Sequence, residues 1–166
     1  TASRYSLPGN NAGKEYLDEL KNILEQLKKN NKKISAFIVE PIMGCGGQLI
    51  LPKNFLKEAF DLVRTTGGIC IADEVQIGFG RMGTNFWGFE TENVVPDIVT
   101  MAKSMGKGHP LSAVVTTKKI ADLFDNGMEY FNSFGGNPVS CAVGHAVLNV
   151  IKDEAVSYTH LTLPTK

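Results

Sequence analysis

Two kinds of apolar spacing alternate along the chain. From Glu15 to Lys29, Leu17, Leu20, Leu24 and Leu27 recur every three or four positions with lysines and acids between them, which predicts an amphipathic surface helix. From Ile34 to Pro41 the run ISAFIVEP is almost continuously apolar, the pattern of a short strand buried on both faces. A turn follows at Gly44, Gly46 and Gly47. Phe55 to Arg64 returns to helical spacing with Phe55, Ala59, Leu62 and Val63 inward, and Gly67-Gly68 end it. Ile69 to Val75 and Pro96 to Met101 read as further buried strands, Ala113 to Thr116 as a fourth, and Lys118 to Phe124 as a short helix. Asn137-Pro138 joins an N-cap residue to a proline at the first helical position. That last helix runs to Glu154 with Val139, Val143, Ala146, Val147, Val150 and Ile151 as its inner stripe.

Strands alternating with helices imply an α/β fold, a mostly parallel sheet flanked by helices. In such sheets ligands bind beyond the carboxyl ends of the strands, so polar residues at those ends are the candidates for chemistry. The helical period stops at Glu154. Val156 to Lys166 (VSYTHLTLPTK) bears no relation to the pattern before it and reads as a non-native tail, which leaves His160 without a role. With an opening at Thr1 inside a polar Ser/Gly/Asn stretch, the chain reads as a fragment. Its expected divisions are a linker and surface helix over 1–33, the central part of a ligand-binding large domain over 34–154, and the tail over 155–166.

Composition narrows the class without naming a function. Hydrophobic residues make up 43% and charged residues 20%, the mix of an ordinary globular protein. With 17 basic and 17 acidic residues the formal charge is zero, which argues against nucleic acid or a membrane surface held by bulk charge. No apolar run is long enough to span a bilayer, and no signal-peptide pattern is seen. Cys45, Cys70 and Cys141 are widely spaced with no CxxC, suggesting neither a disulfide framework nor a metal site. A reducing, cytoplasmic compartment is the simplest expectation.

Four clusters could carry chemistry. Asp73 and Glu74 end an apolar strand, where an acid needs a cationic partner, either a structural Arg or Lys or a ligand cation. A metal is the weaker choice, because no histidine lies near in sequence. Lys103 follows a strand directly, where burial could strip its proton and leave an amine nucleophile. Lys107, between Gly106 and Gly108, is its rival and lies farther into the turn. Gly78 to Gly83 spells GxGxxG, but a dinucleotide site requires a helix to open there, and the following TNFWGF has no helical stripe. A nucleotide-binding module is therefore a distant alternative. Ser133 to Pro138 (SFGGNP) offers a hydroxyl beside glycines, or simply the entry turn of a helix.

Taken together, VEPI at 39–42, IADEVQ at 71–76 running into GFGR at 78–81, PDIVTMAK at 96–103 and FGGNP at 134–138 resemble the class III aminotransferases of pyridoxal-phosphate (PLP) fold type I. The resemblance spans Ile34 to about Glu154 and implies an α/β/α sandwich binding pyridoxal 5'-phosphate. It implies that Lys103 carries the cofactor as a Schiff base and moves the substrate proton, and that Asp73 pairs with the pyridinium nitrogen. It further implies Val75 on one ring face, Gln76 near the phenolic oxygen, and Ser133, in place of the family's threonine, reaching the cofactor phosphate of a partner subunit in a homodimer. Glu40 matches a glutamate that, in several members, pairs with a small-domain arginine gating the substrate carboxylate. Within the family the chain is similar to the branch of alanine–glyoxylate aminotransferases and ethanolamine-phosphate phospho-lyases, and nothing in these residues selects between the two reactions. A mitochondrial-matrix location fits a eukaryotic source. The isolated fragment is expected to bind PLP weakly and turn nothing over.

Overall fold

The computed structural model describes residues 12–153. These form two compact units, one of residues 12–73 and 88–98, the other of residues 74–87 and 99–153. The early polar stretch and the tail from 154 onward, His160 included, lie outside the described residues.

The first unit holds helix α1 (Ala12–Lys29), strands β1 (Ala36–Val39), β2 (Ile42–Met43) and β3 (Leu49–Ile50), helix α2 (Phe55–Thr65), strand β4 (Ile69–Asp73) and a 3-10 turn at Gly88–Glu92. The leucine stripe of α1 is where its spacing placed it, with Leu17 and Leu24 buried against α2. In α2 the inward face is shifted from the expected one: Leu56, Ala59, Phe60 and Val63 have no exposed surface, while Phe55 and Leu62 sit half-buried at its margins. Burying the three larger side chains contributes roughly 5–9 kcal/mol before the entropy of ordering them. The helix stops where expected. Gly67 takes φ +84°, and the Gly67 and Gly68 amides donate to the Arg64 and Val63 carbonyls.

Strands β1 and β4 are parallel, with Phe37 opposite Cys70 and Val39 opposite Ala72. Side chains alternate across a strand, so these four share the face covered by α2. Phe37 meets Phe60 edge-on at 6.3 Å. Ala36, Ile38, Ile71 and Asp73 lie on the other face, where Ile38 is 59% exposed. The expectation that β1 is buried on both faces is therefore corrected: α2 covers one face only. The glycine turn at 44–47 proved to close a small antiparallel hairpin, β2 with β3. Its two-residue strands are too short to show any period.

The second unit contains most of β5 (Ile98–Met101), a 3-10 turn at Lys103–Met105, β6 (Ala113–Thr116), α3 (Lys118–Phe124) and α4 (Pro138–Asp153). Thr117 caps α3 by accepting the Ile120 amide. The packed face of α4 is built on small residues, Ser140 and Gly144, with Val143, Val147 and Ile151 half-buried beside them. Val139, Ala146 and Val150, expected inside, are exposed. The cause is close approach, since a Cβ on Gly144 would stand 2.7 Å from Leu111 Cδ2. No helix opens at Gly78–Gly83. Those residues form turns around Phe79, Phe86 and Trp87, whose rings lie 4.8–5.4 Å apart, so the dinucleotide reading lacks the helix it needs.

Candidate active site

Strand β4 delivers Asp73, half-buried, to its carboxyl end in the first unit. The chain then enters the second unit at Glu74, which is 1% exposed. The Glu74 amide donates to the Thr100 carbonyl at 2.9 Å, and its carbonyl accepts from the Gly78 amide at 2.9 Å. Val75 and Gln76 are half-buried in the turn between those two hydrogen bonds.

After β5, Ala102 is fully extended and Lys103 reverses the chain at φ +33°. The Lys103 carbonyl accepts the amides of Gly106 and Lys107, both at 3.2 Å. Lys107 is also left-handed, at φ +47°, and Gly108 follows at φ +107°. A left-handed backbone costs a non-glycine residue roughly 1–2 kcal/mol, so this short segment holds two lysines against their own preference. Gly106 is required between them, because a Cβ there would collide with the His109 carbonyl. Both lysines are exposed. The expectation that burial sets Lys103 apart from Lys107 is thus not met, and what distinguishes Lys103 is its place directly after β5.

Around this turn lies a cleft of about 830 Å³, lined among others by Arg81, Lys103, Ser104, Lys107, His109 and Ser112. Its lining carries three basic side chains, Arg81, Lys103 and Lys107, and no carboxylate. Two contacts stiffen the walls. Arg81 Nε donates to Oγ of buried Ser104 at 3.2 Å. His109 Nε2 lies 2.8 Å from Ser140 Oγ, which also accepts from Asn137 Nδ2 at 2.9 Å. The Asn137 Oδ1 in turn accepts the Ser140 amide at 2.9 Å, so the turn is tied to the start of α4.

The remaining predicted residues fall elsewhere. Ser133 is exposed in a turn where Asn132 Oδ1 accepts the Phe134 and Gly135 amides, and it does not line the cleft. Glu40 Oε2 accepts the Gly44 and Cys45 amides at 2.8 and 3.2 Å, holding the tip of the β2–β3 hairpin. Sequence reasoning passed over Arg81, whose only sequence signal was an arginine inside a glycine-rich turn after a strand. The His109–Ser140 contact spans 31 positions and had none. Among the described residues no three His, Cys, Asp or Glu side chains converge as a metal group, and no helix is long and apolar enough to cross a membrane.

The sequence profile of the family described as aminotransferase class-III matches residues 3–161. Human mitochondrial alanine–glyoxylate aminotransferase 2 is 54% identical over 140 residues, covering 84% of this chain and 27% of that protein. An alanine–glyoxylate aminotransferase 2-like protein of Drosophila melanogaster is 47% identical over 157 residues, covering 94% of this chain and 32% of its own length. The chain thus spans less than a third of these curated relatives. Among solved structures, a phospholyase from Arthrobacter in complex with phosphoethanolamine superposes with a TM-score of 0.84 at 37% identity, covering 92% of this chain and 37% of that one. A profile match over nearly the whole chain, joined to an α/β arrangement that ends its strands at Asp73 and just before Lys103, leads to one conclusion: this chain belongs to the class III aminotransferase family.

Proposed function

We propose that the enzyme containing this chain is a pyridoxal-phosphate-dependent transaminase that moves an amino group between an amino acid or amine and a keto acid. The observation that carries this reading is Lys103, an exposed primary amine held in left-handed backbone directly after β5, at a cleft whose lining is cationic. Those residues fit a phosphorylated aldehyde, since an amine can hold the aldehyde while cations favour the anion. When bound, the cofactor supplies an electron sink that acidifies the Cα–H of the amino substrate. Lys103 would hold it covalently and would serve as the base that removes the proton from the substrate Cα.

In the same reading Asp73 would keep the ring nitrogen protonated, Val75 would pack on a ring face, and Gln76 would hydrogen-bond near the phenolic oxygen. Ser133, exposed before α4, reaches the cofactor phosphate of a partner subunit in a homodimer. Glu40 pairs with a substrate-gating arginine, in competition with the two amides it holds here. A cytoplasmic or mitochondrial-matrix location accompanies this assignment. A phospho-lyase acting on a phosphorylated amine is the second reading, favoured by the likeness to the Arthrobacter phospholyase.

Borohydride reduction of the full-length, cofactor-loaded enzyme followed by peptide mapping tests the assignment. The label is expected on Lys103, and a label on Lys107 instead would sink it. Inorganic phosphate released from phosphoethanolamine without a keto acid would select the second reading.

A further inference from the structure

The turn that carries Lys103 keeps its own shape through main-chain hydrogen bonds. The Lys103 carbonyl accepts the Gly106 and Lys107 amides at 3.2 Å, and the Gly106 carbonyl accepts the His109 amide at 3.0 Å. Those bonds close the turn on itself but do not fix where it points. Lys103, at φ +33°, sits in a thinly populated region and persists there only when its surroundings over-determine it. One anchor is the side chain of His109, at the end of the turn, whose Nε2 lies 2.8 Å from Ser140 Oγ on α4. Ser140 is buried, and Asn137 holds it from two directions. Its Oδ1 accepts the Ser140 amide and its Nδ2 donates to Ser140 Oγ, both at 2.9 Å. The Asn137 amide cannot flip, because its Nδ2 also donates to the Phe134 carbonyl at 2.8 Å, and a flip would set oxygen against oxygen. Two residues beyond His109, Leu111 packs where only a glycine at 144 leaves room, so the chain leaving the turn meets the same helix.

We propose that His109 is a positioning residue for Lys103: through Ser140 it sets the angle at which the turn presents the lysine amine. The serine hydroxyl can donate to a bare Nε2 or accept from a protonated one, so the tie holds in either state of the imidazole. His109 thus supplies reach and a hydrogen bond, and no proton to the reaction. A displacement of about 1 Å at a reacting group can lower a rate by about a hundredfold, so loosening this one contact is enough to be read in turnover. The effect on catalysis rests on the assignment of Lys103 to the cofactor, whereas the tie between turn and helix stands on the hydrogen bonds alone.

The test uses the full-length protein. In its cofactor-free form, His109→Phe and Ser140→Ala should each speed amide exchange across the turn peptide by roughly three- to tenfold, the loss expected for one hydrogen bond. In the cofactor-loaded enzyme both should lower kcat by roughly tenfold. KM for the amino donor should stay within about twofold, the pattern of a misplaced reacting group rather than of lost binding. The double variant should lose no more than either single one, because both break the same contact. His109→Gln, whose amide nitrogen reaches about as far as Nε2, should recover most of the loss, while the shorter His109→Asn should not. Ser140→Ala removes a single oxygen and keeps the test available should His109→Phe fail to fold. Losses that multiply in the double variant, or a glutamine variant as slow as the phenylalanine one, overturn the proposal. A reductive label on Lys103 with unchanged exchange in the turn overturns this inference alone. Faster exchange with no label on Lys103 instead refutes the cofactor assignment on which the positioning role rests.

Discussion

Removing the Asp97 carboxylate should loosen the start of β4 more than removing its arginine partner does. In the first unit, Asp97 Oδ2 accepts from the Cys70 amide at 2.8 Å and from Arg64 Nε and Nη2 at 3.3 and 3.2 Å. The Asp97 amide returns a hydrogen bond to the Cys70 carbonyl at 2.8 Å. The ion pair is partly exposed, with 37% and 25% of the two side chains accessible, so solvent screening limits it to about 1 kcal/mol or less. The Cys70 amide belongs to a residue with no exposed surface, and taking away its charged acceptor costs about 1.5–2 kcal/mol. Asp97→Ala should therefore cost about 2–3 kcal/mol locally. Arg64→Ala should cost about 1 kcal/mol, mainly through the ion pair, its hydrogen bond to the Val95 carbonyl and its stacking over Phe60. Hydrogen exchange by mass spectrometry on the peptide spanning β4 reads this directly, and the Cys70 amide should exchange roughly thirty- to hundredfold faster in Asp97→Ala. Exchange within threefold of wild type, or equal acceleration by Arg64→Ala, would show that the Cys70–Asp97 hydrogen bond does not hold the strand.

Two further outcomes follow from residues already placed. Burial pushes the Cys70 thiol up to about 11 from an ordinary 9.0, opposed by Arg64 and aided by Asp97. At pH 8 it should react with a thiol reagent about a hundredfold more slowly than an unperturbed thiol, well behind exposed Cys45 and Cys141. Because the folded-state value is the raised one, the contribution of Cys70 to stability is complete below pH 9.0 and is lost as pH climbs toward 11. Cys70→Ala should flatten the fall of the unfolding midpoint over that window, and an unchanged slope would contradict the burial account. Lys107→Asn should raise stability by roughly 0.5–1 kcal/mol by relieving the left-handed backbone. Calorimetry showing a lower melting temperature would argue that Lys107 is held by packing rather than against strain.

Long, strongly patterned elements were legible from sequence, and those depending on distant partners were not. The leucines of α1 announced both the helix and its buried side, and Gly67-Gly68 marked the end of α2. In α2 the spacing was right but the face was rotated, because Phe60 is held by Phe37 from another element. In α4 the valines outweighed Ser140 and Gly144 in hydropathy, yet close approach to Leu111 selected the small residues. At the candidate site, the strand ends expected from sequence are where the structure has them, with β4 closing at Asp73 and Lys103 following β5. The exposure of Lys103 was missed because chain order does not reveal how open a turn is to solvent. Asp97 looked like one letter of a motif until its hydrogen bonds to Cys70 and Arg64 showed it joining β4 to the chain entering β5.

The turn from Lys103 to His109 is framed by main-chain hydrogen bonds and a glycine that tolerates no Cβ. A spacing held this way is set in whole residues. Substitutions nearby can change what the two lysines meet, but not the stretch of backbone between them, which only an insertion or deletion can reset. Divergence among enzymes sharing this turn should therefore proceed by repainting the walls of the cleft while its frame is inherited unchanged. Catalytic position and ligand preference can then drift independently, even though the residues responsible are neighbours in the chain.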